Sequence, residues 1–176
     1  MNGAAQCYNR GARLLHWAIA LLIIANILIG IAHAWVNKDW PVIPLHKSIG
    51  LTVLALTVLR ILWRAGHRPP PLPAQMPGWE KGAAHGLHAL FYVLMLVLPL
   101  TGWVMSSAGQ YPLRWFNLFA VPKFAVAKGD ALVEFSRGSH GVMGLVFGAL
   151  IMLHVAAALR HQFVLKDGVL ERMTGV

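Results

Sequence analysis

The amino-acid sequence predicts an all-α integral membrane protein, a bundle of four transmembrane helices. Of the 176 residues, 57% are hydrophobic and only 12% are charged, which is outside the range of ordinary soluble domains. Four apolar stretches are each long enough to cross a hydrocarbon core, which takes about 20 residues of helix. Nearly all the ionisable residues inside these stretches are histidines, which indicates that the bundle holds a functional site.

The first predicted span runs from Leu14 to Trp35, after a polar segment that holds the only cysteine, Cys7. Arg10 and Arg13 precede the apolar run as in a secretory signal peptide, but the run is longer than a signal core and three similar runs follow it. We therefore expect it to remain as a transmembrane helix. A single cysteine also excludes an internal disulfide and a cysteine metal cluster.

The other spans are predicted from Leu45 to Trp63, from His85 to Ser107 and from His140 to Leu159. The run Pro69-Pro70-Pro71-Leu72-Pro73 predicts a stiff linker between the second and third spans rather than a domain boundary. The loop of about residues 109–138 is rich in aromatic and basic residues, as expected of a segment at the membrane surface. Residues 1–176 are therefore expected to form a single domain.

An even number of spans places both termini on one side of the membrane, and the basic residues indicate which side. Nine basic residues lie with the termini and the proline-containing linker. The six on the opposite side are Lys38, Lys47, Arg114, Lys123, Lys128 and Arg137. This distribution predicts cytoplasmic termini. Because the charges lie at the ends of apolar runs and accompany no recognition motif, they favour lipid headgroups over nucleic acid as partners.

The fourth span carries two histidines on one face. His140 and His154 are fourteen residues apart, so their side chains point within about 40° of each other and differ in height by about 21 Å. One therefore lies near each side of the hydrocarbon core. His46 begins the second span on the side of His140, and His16 begins the first span on the side of His154. The depths match in two pairs.

Histidine pairs at two depths predict two haem groups, one on His46 and His140 and one on His16 and His154. Ligation by two imidazoles leaves no open position on the iron, which favours electron transfer over oxygen activation. Since the sequence has no Cys-x-x-Cys-His motif, the haems are expected to be non-covalent haem b. For any single membrane histidine, a hydrogen bond across helices is an equally good explanation. Because the histidines pair at two matching depths, metal ligation is favoured over hydrogen bonding across helices.

Small and basic residues near these histidines are candidates for contacts with the rest of the cofactor. Gly141, Gly144 and Gly148 leave room for a macrocycle, although Gly144 and Gly148 equally fit a helix-packing motif. Three arginines lie where haem propionates are expected, namely Arg13, Arg137 and Arg160. Each of them is equally well explained as an interface anchor.

At these positions the sequence resembles the bacterial cytochrome b-561 family. The resemblance rests on short motifs in a fixed order that cover nearly the whole chain. They are Leu15-His16-Trp17, Leu45-His46-Lys47-Ser48-Ile49-Gly50, Leu59-Arg60-Ile61-Leu62-Trp63-Arg64, the proline run, Gly86-Leu87-His88, Leu153-His154 with His161, and the tail from Lys166 to Gly175. It implies a four-helix di-haem protein of the bacterial inner membrane that exchanges electrons with ubiquinone.

The resemblance also implies roles for two further histidines and an activity. His88 and His161 belong to the family pattern, and either is a candidate to bind a quinone carbonyl or supply its protons. Alternatively, His88 replaces His16 as the partner of His154. Members of this family have been described as superoxide oxidases, which take an electron from superoxide at the periplasmic face and pass it to quinone. His33, His67 and His85 are interpreted as interfacial.

Three functions follow from these observations. The first is an oxidoreductase that oxidises superoxide and reduces ubiquinone, in which the six basic residues of the periplasmic side, against three acidic ones, attract the anion. The second is a haem b electron relay and membrane anchor for a partner protein such as a dehydrogenase or hydrogenase. The third, a histidine-rich transporter or metal channel, is disfavoured because such a pathway needs polar residues along its whole length rather than in two layers.

Overall fold

The protein is a bundle of four long helices. The computed structural model describes residues 7–36 and 41–175. The long helices are α1 (Arg10–Ile31), α2 (Ile43–Gly66), α3 (Gly78–Ser107) and α4 (Ala131–Arg160). Short π-helical segments, Ala32–Val36 and His161–Leu165, extend α1 and α4, and a small helix α5 (Glu171–Thr174) follows. Strands β1 (Arg114–Trp115) and β2 (Phe119–Ala120) form a hairpin between α3 and α4.

All four predicted spans are confirmed as helices long and apolar enough to cross a membrane. Two of the helices begin before the predicted spans, since α3 begins at Gly78 and α4 at Ala131. Amphipathic turns that begin after Pro77 and Asp130 add to the apolar stretches, and hydropathy alone does not detect them. His88 and His140 therefore lie inside their helices rather than at their ends. Lys38 and Asp39 lie outside the described residues.

The helices pack in sequence, α1 on α2, α2 on α3 and α3 on α4, and α4 also contacts α1. A buried apolar layer lies at mid-height, formed by Ile19, Ile23, Ile49, Val53, Leu94, Met95 and Phe147. Phe147 lies seven residues from both His140 and His154 on α4. The apolar layer therefore separates the two predicted haem levels.

The β-hairpin lies against the first turns of α2. The amide of Phe116 donates to Ser48 Oγ at 3.0 Å, and Trp115 Nε1 donates to Thr52 Oγ1 at 3.0 Å. Both Phe116 and Asn117 have positive φ, which closes the tight turn between the strands. Exposed Phe116, Leu118 and Phe119 agree with the predicted placement of this loop at the membrane surface.

The C-terminal segment folds back onto the start of α1. Trp17 Nε1 donates to the carbonyl of Met173 at 3.1 Å, and Arg13 Nη1 donates to the carbonyl of Thr174 at 3.0 Å. Arg172 Nη1 donates to the carbonyl of Pro71 in the proline run. The tail thus links the N-terminal helix to the linker between α2 and α3 at the end of the bundle that carries both termini.

Candidate functional site

His46 and His140 face each other across the bundle. Their ring centroids are 6.1 Å apart. With metal–nitrogen bonds of about 2.0 Å, two imidazoles on opposite faces of one ion have centroids about 6.3 Å apart. The sequence prediction that these two histidines share an iron therefore agrees with their separation.

The outer nitrogen of each ring has a partner that selects the ligating tautomer. His46 Nδ1–H donates to the carbonyl oxygen of Asn26 at 3.1 Å, because a carbonyl can only accept. Thr101 Oγ1 donates its proton to the carbonyl of Leu98 at 2.7 Å, so it accepts from His140 Nδ1–H at 2.9 Å. In both rings Nε2 is left with a free lone pair. A metal-ligating histidine is typically oriented by such a second bond.

A cavity of about 590 Å³ surrounds this pair, within the size range of cofactor sites. Glycines give the rings their room, since a Cβ at Gly30 would lie 3.3 Å from His46 Cε1 and one at Gly102 would lie 3.2 Å from His140 Cε1. Gly141 and Gly144 also line the cavity, and a Cβ on either would meet nothing within 4 Å. The room predicted beside α4 is therefore present.

Two polar groups of the cavity lack hydrogen-bond partners in the described part of the chain. Asn26 Oδ1 and His33 Nδ1 are shielded from solvent, and no described residue bonds to either of them. Lys47 and Arg137 also line the cavity, and Arg137 Nε lies 3.8 Å from Glu134 Oε2. Buried polar atoms without partners are costly, so a polar ligand in contact with them stabilises the site. A largely apolar cavity with two free imidazole nitrogens and basic groups fits a haem with its two carboxylates. His33, interpreted from the sequence as interfacial, belongs to this site.

Three histidines meet at the other level of the bundle. The ring of His154 lies 6.5 Å from that of His16 and 5.6 Å from that of His88, centroid to centroid. Both predicted partners of His154 are therefore within reach. The separation to His16 is nearer to the value for two ligands on one ion.

Arg60 occupies the centre of this cluster. Its Nη1 donates to His16 Nδ1 at 3.2 Å and its Nε donates to Tyr92 Oη at 3.2 Å. A guanidinium only donates, so a neutral His16 in this geometry carries its proton on Nε2. Ligation through Nε2 needs the opposite tautomer and therefore excludes the Arg60 bond. His46 and His140 therefore present Nε2 atoms without a proton, whereas Nε2 of His16 can lose its proton to Nδ1 only when Arg60 turns away.

His161 is paired with a carboxylate. Its Nδ1 lies 2.6 Å from Asp167 Oδ2, and both side chains are about nine-tenths buried. Lys166, with φ of 52°, turns the chain so that Asp167 reaches back to the π-helical segment. A carboxylate on one imidazole nitrogen orients the ring and leaves the other nitrogen to exchange a proton with a ligand.

The three predicted propionate partners lie in different surroundings. Arg137 lines the cavity of His46 and His140. Arg160 Nη1 instead bonds Glu80 Oε1 of α3 at 3.2 Å, and Arg13 bonds the tail. The structure thus brings one of the three into a histidine cavity.

Sequence reasoning missed Thr101 and Arg60 as site residues. Arg60 lies fourteen residues after His46, the same spacing that relates His140 to His154, and this signal could have placed it at the second level. Thr101 has no comparable signal, because its role depends on how α3 packs against α4.

The chain is also similar to known proteins over nearly its whole length. A family model described as prokaryotic cytochrome b561 matches residues 7–175. The chain is 31% identical to "Cytochrome b561 homolog 2" of Escherichia coli (strain K12), over 91% of this chain and 87% of that protein. It is 33% identical to "Cytochrome b562" of Cereibacter sphaeroides, over 94% of each chain. It is 29% identical to "Probable superoxide oxidase CybB" of Yersinia pestis, over 90% of each.

Proposed function

The chain belongs to the prokaryotic cytochrome b561 family of membrane electron-transfer proteins, and on that premise we propose that it passes electrons from superoxide to ubiquinone. The family implies haem b. We propose two such groups, in a bacterial inner membrane with both termini in the cytoplasm. Haem b supplies reversible one-electron transfer. Two superoxide ions give two electrons and leave as oxygen, and ubiquinone takes these electrons with two protons to become ubiquinol.

The arrangement of His46 and His140 is the main support for the proposal. The His46 and His140 rings stand 6.1 Å apart with both Nδ1 atoms bonded outward, to Asn26 and Thr101. Two imidazoles held in the ligating tautomer at this separation are arranged to bind one metal ion between them. Ligation by both histidines would favour electron transfer over oxygen binding.

His154 is one ligand of the second proposed haem whether its partner is His16 or His88. We propose His16 as that partner. The 6.5 Å separation supports His16, whereas the Arg60 bond to its Nδ1 and the proximity of His88 support the alternative. Binding through His16 Nε2 releases the Arg60 guanidinium, which can then pair with a carboxylate of the cofactor. We retain Arg13 and Arg160 as weaker candidates for that contact.

Aromatic rings connect the two levels. Phe147 lines the cavity of His46 and His140, and its ring lies 5.6 Å from Phe91. The Phe91 ring in turn lies 5.4 Å from His154. This chain of contacts fills the space between the proposed haems with tightly packed side chains and leaves a short path for the electron.

The cavity of His46 and His140 opens toward basic residues. Lys47 and Arg137 line it, while Lys123 and Lys128 are exposed in the loop that precedes α4. Lys123 Nζ donates to the carbonyl of Gly109, which holds its ammonium group near the end of α3. A positive rim attracts a small anion, and superoxide needs only to approach the edge of the cofactor.

At the opposite end, His161 and Asp167 form the proposed quinone site, with His88 as the second candidate. Asp167 holds His161 Nδ1, which leaves Nε2 to exchange a proton with the quinone. The pair lies beside the end of α4, where protons from the aqueous side can reach it.

The test is stopped-flow reduction of the haems by superoxide at several salt concentrations. Replacing Lys123, Lys128 and Arg137 with glutamine should slow the reduction and flatten its salt dependence, because exposed charges act over a Debye length of about 8 Å. The control replaces Arg64, Arg68 and Lys166 with glutamine, since these are exposed at the other end of the bundle. It removes the same charge and should leave the rate unchanged.

A rate that depends on neither salt nor these charges would show that the basic residues only anchor the loop to lipid. Haems that superoxide does not reduce at all would contradict the superoxide activity and favour the electron relay for a partner protein. Reoxidation by ubiquinone in the same instrument tests the acceptor separately.

A further inference from the structure

A second cavity lies where the C-terminal tail meets the first turns of α1. Its volume is about 320 Å³, and it is lined by Arg10, Arg13, Leu14, Trp17, Met173 and Thr174. The hydrogen bonds from Arg13 and Trp17 to the tail carbonyls close it on one side. None of the proposed redox roles of the histidines uses this cavity.

The two arginines of the cavity have no carboxylate partner among residues 7–36 and 41–175. Arg10 is exposed, whereas Arg13 is half-buried, and its Nε is shielded from solvent and has no hydrogen-bond partner among the residues that the structure describes. A guanidinium donor left unpaired in this way favours an anion that accepts from it. Two guanidiniums one helical turn apart suit the several oxygens of a phosphate group.

An exposed apolar stripe leads away from the cavity along α1. It consists of Leu14, Trp17, Leu21, Ile24 and Leu28, which recur at helical spacing and are all exposed in the monomer. From Leu14 to Ile24 the helix rises about 15 Å, which is the depth of one leaflet of the hydrocarbon core. Trp17 lies at the junction of the basic cavity and the stripe, the position that tryptophan prefers at a membrane interface.

We propose that this cavity binds the headgroup of an anionic phospholipid, with its phosphate on Arg10 and Arg13 and an acyl chain along the stripe. The basic groups, the depth of the stripe and the position of Trp17 together select a lipid rather than a free anion. Because Met173 and Thr174 form the other wall, the bound lipid also holds the tail against α1.

The experiment compares the haem-loaded protein in nanodiscs of phosphatidylcholine with and without phosphatidylglycerol. Native mass spectrometry after release counts phosphatidylglycerol molecules that stay bound, and hydrogen exchange follows the amides of residues 170–175. Arg10→Gln with Arg13→Gln should weaken retention about 30-fold, from about 1 kcal/mol for each basic residue near an anionic headgroup. Tail amides of this variant should exchange faster, and phosphatidylglycerol should no longer protect them.

The matched control is Arg64→Gln with Arg68→Gln, which removes the same charge from exposed positions at the same end of the bundle. It should retain phosphatidylglycerol as the unaltered protein does. Arg10→Gln alone keeps the Arg13 bond to Thr174 and should show an intermediate loss, which covers the case in which the double variant does not fold.

Three results would overturn the proposal. Equal lipid loss in both double variants would mean general surface attraction. Equal tail protection by inorganic phosphate in phosphatidylcholine nanodiscs would mean a free-anion site. Loss of one haem from the Arg10→Gln, Arg13→Gln variant, with lipid retention unchanged, would assign Arg13 to a haem carboxylate instead.

Discussion

At the scale of single residues, the partner of each outer imidazole nitrogen distinguishes the two histidine levels. Asn26 and Thr101 accept from Nδ1 of His46 and His140, whereas Arg60 donates to Nδ1 of His16. Nε2 of His46 and of His140 is therefore left without a proton, whereas Nε2 of His16 carries one while Arg60 is bonded to Nδ1. Sequence spacing identified the histidines, but only the packing of neighbouring helices shows which nitrogen each one offers.

Replacing Thr101 with valine should weaken haem binding between His46 and His140. The hydroxyl that orients His140 is lost, and loss of such a contact typically lowers metal-site affinity about 10- to 100-fold. Haem content and the reduced absorption spectrum, measured during titration with haem, would show the change. Thr57→Val is the control, because the Thr57 hydroxyl is fully buried and, among the described residues, bonds only the carbonyl of Val53 in its own helix. Equal effects of the two substitutions would remove the positioning role.

Alanine substitutions of the histidines should each remove a defined haem. His46→Ala or His140→Ala should leave one haem, on His154, because the two levels share no proposed ligand. His16→Ala should also leave one haem, whereas His88→Ala should keep both. Haem quantification with a low-spin spectrum measures this directly. Two haems in His16→Ala and one in His88→Ala would assign His88 as the ligand.

At the scale of elements, glycines of α3 and α1 give the imidazole rings their room in the larger cavity. Gly102 of α3 faces the His140 ring, and Gly30 of α1 faces the His46 ring. Hydropathy predicted the four helices because about 20 apolar residues must cross the core. It did not predict that α3 and α4 begin at Gly78 and Ala131, since their first turns are amphipathic.

Replacing Gly102 with valine should displace the His140 ring and prevent haem binding at that level. Its Cβ alone would lie 3.2 Å from His140 Cε1, and overpacking of this kind costs about 1–3 kcal/mol. Gly86→Val is the control on the same helix, because a Cβ there meets nothing within 4 Å. Thermal unfolding and haem content should change only in the first variant. Full haem content in Gly102→Val would show that the ring has room to move.

The tail that follows α4 should govern the reaction with quinone. Asp167→Asn removes the charge that holds His161 Nδ1, so reoxidation of the reduced haems by a short-chain ubiquinone should slow about 10- to 100-fold with unchanged spectra. Asp130→Asn, at the exposed start of α4, serves as the control. Unaltered reoxidation in Asp167→Asn would place the quinone elsewhere, with His88 the next candidate.

At the scale of the whole molecule, helical periodicity and span length predicted the four-helix bundle. They also predicted that His46 lies near His140 and that His154 lies near His16 and His88. Arg60, Thr101 and the backbone of Asn26 were not predicted as partners of these histidines. Their contacts depend on how the helices are rotated against each other, which the periodicity of a single helix does not define. The fold of the tail over Arg13 and Trp17 was likewise not predicted, because its contacts span almost the full length of the chain.

The apolar layer between the two histidine levels has an electrical consequence. Its residues, among them Ile19, Ile49, Leu94 and Phe147, are hydrophobic and tightly packed, so electrons can tunnel through the layer while protons and other ions cannot pass it. An electron that moves from the level of His46 to that of His154 crosses part of the transmembrane electric field without a compensating ion. In the proposed orientation, with His46 toward the outer face, the inside-negative voltage of an energised cell opposes this movement, since a full crossing is worth about 2.3 kcal/mol per 100 mV.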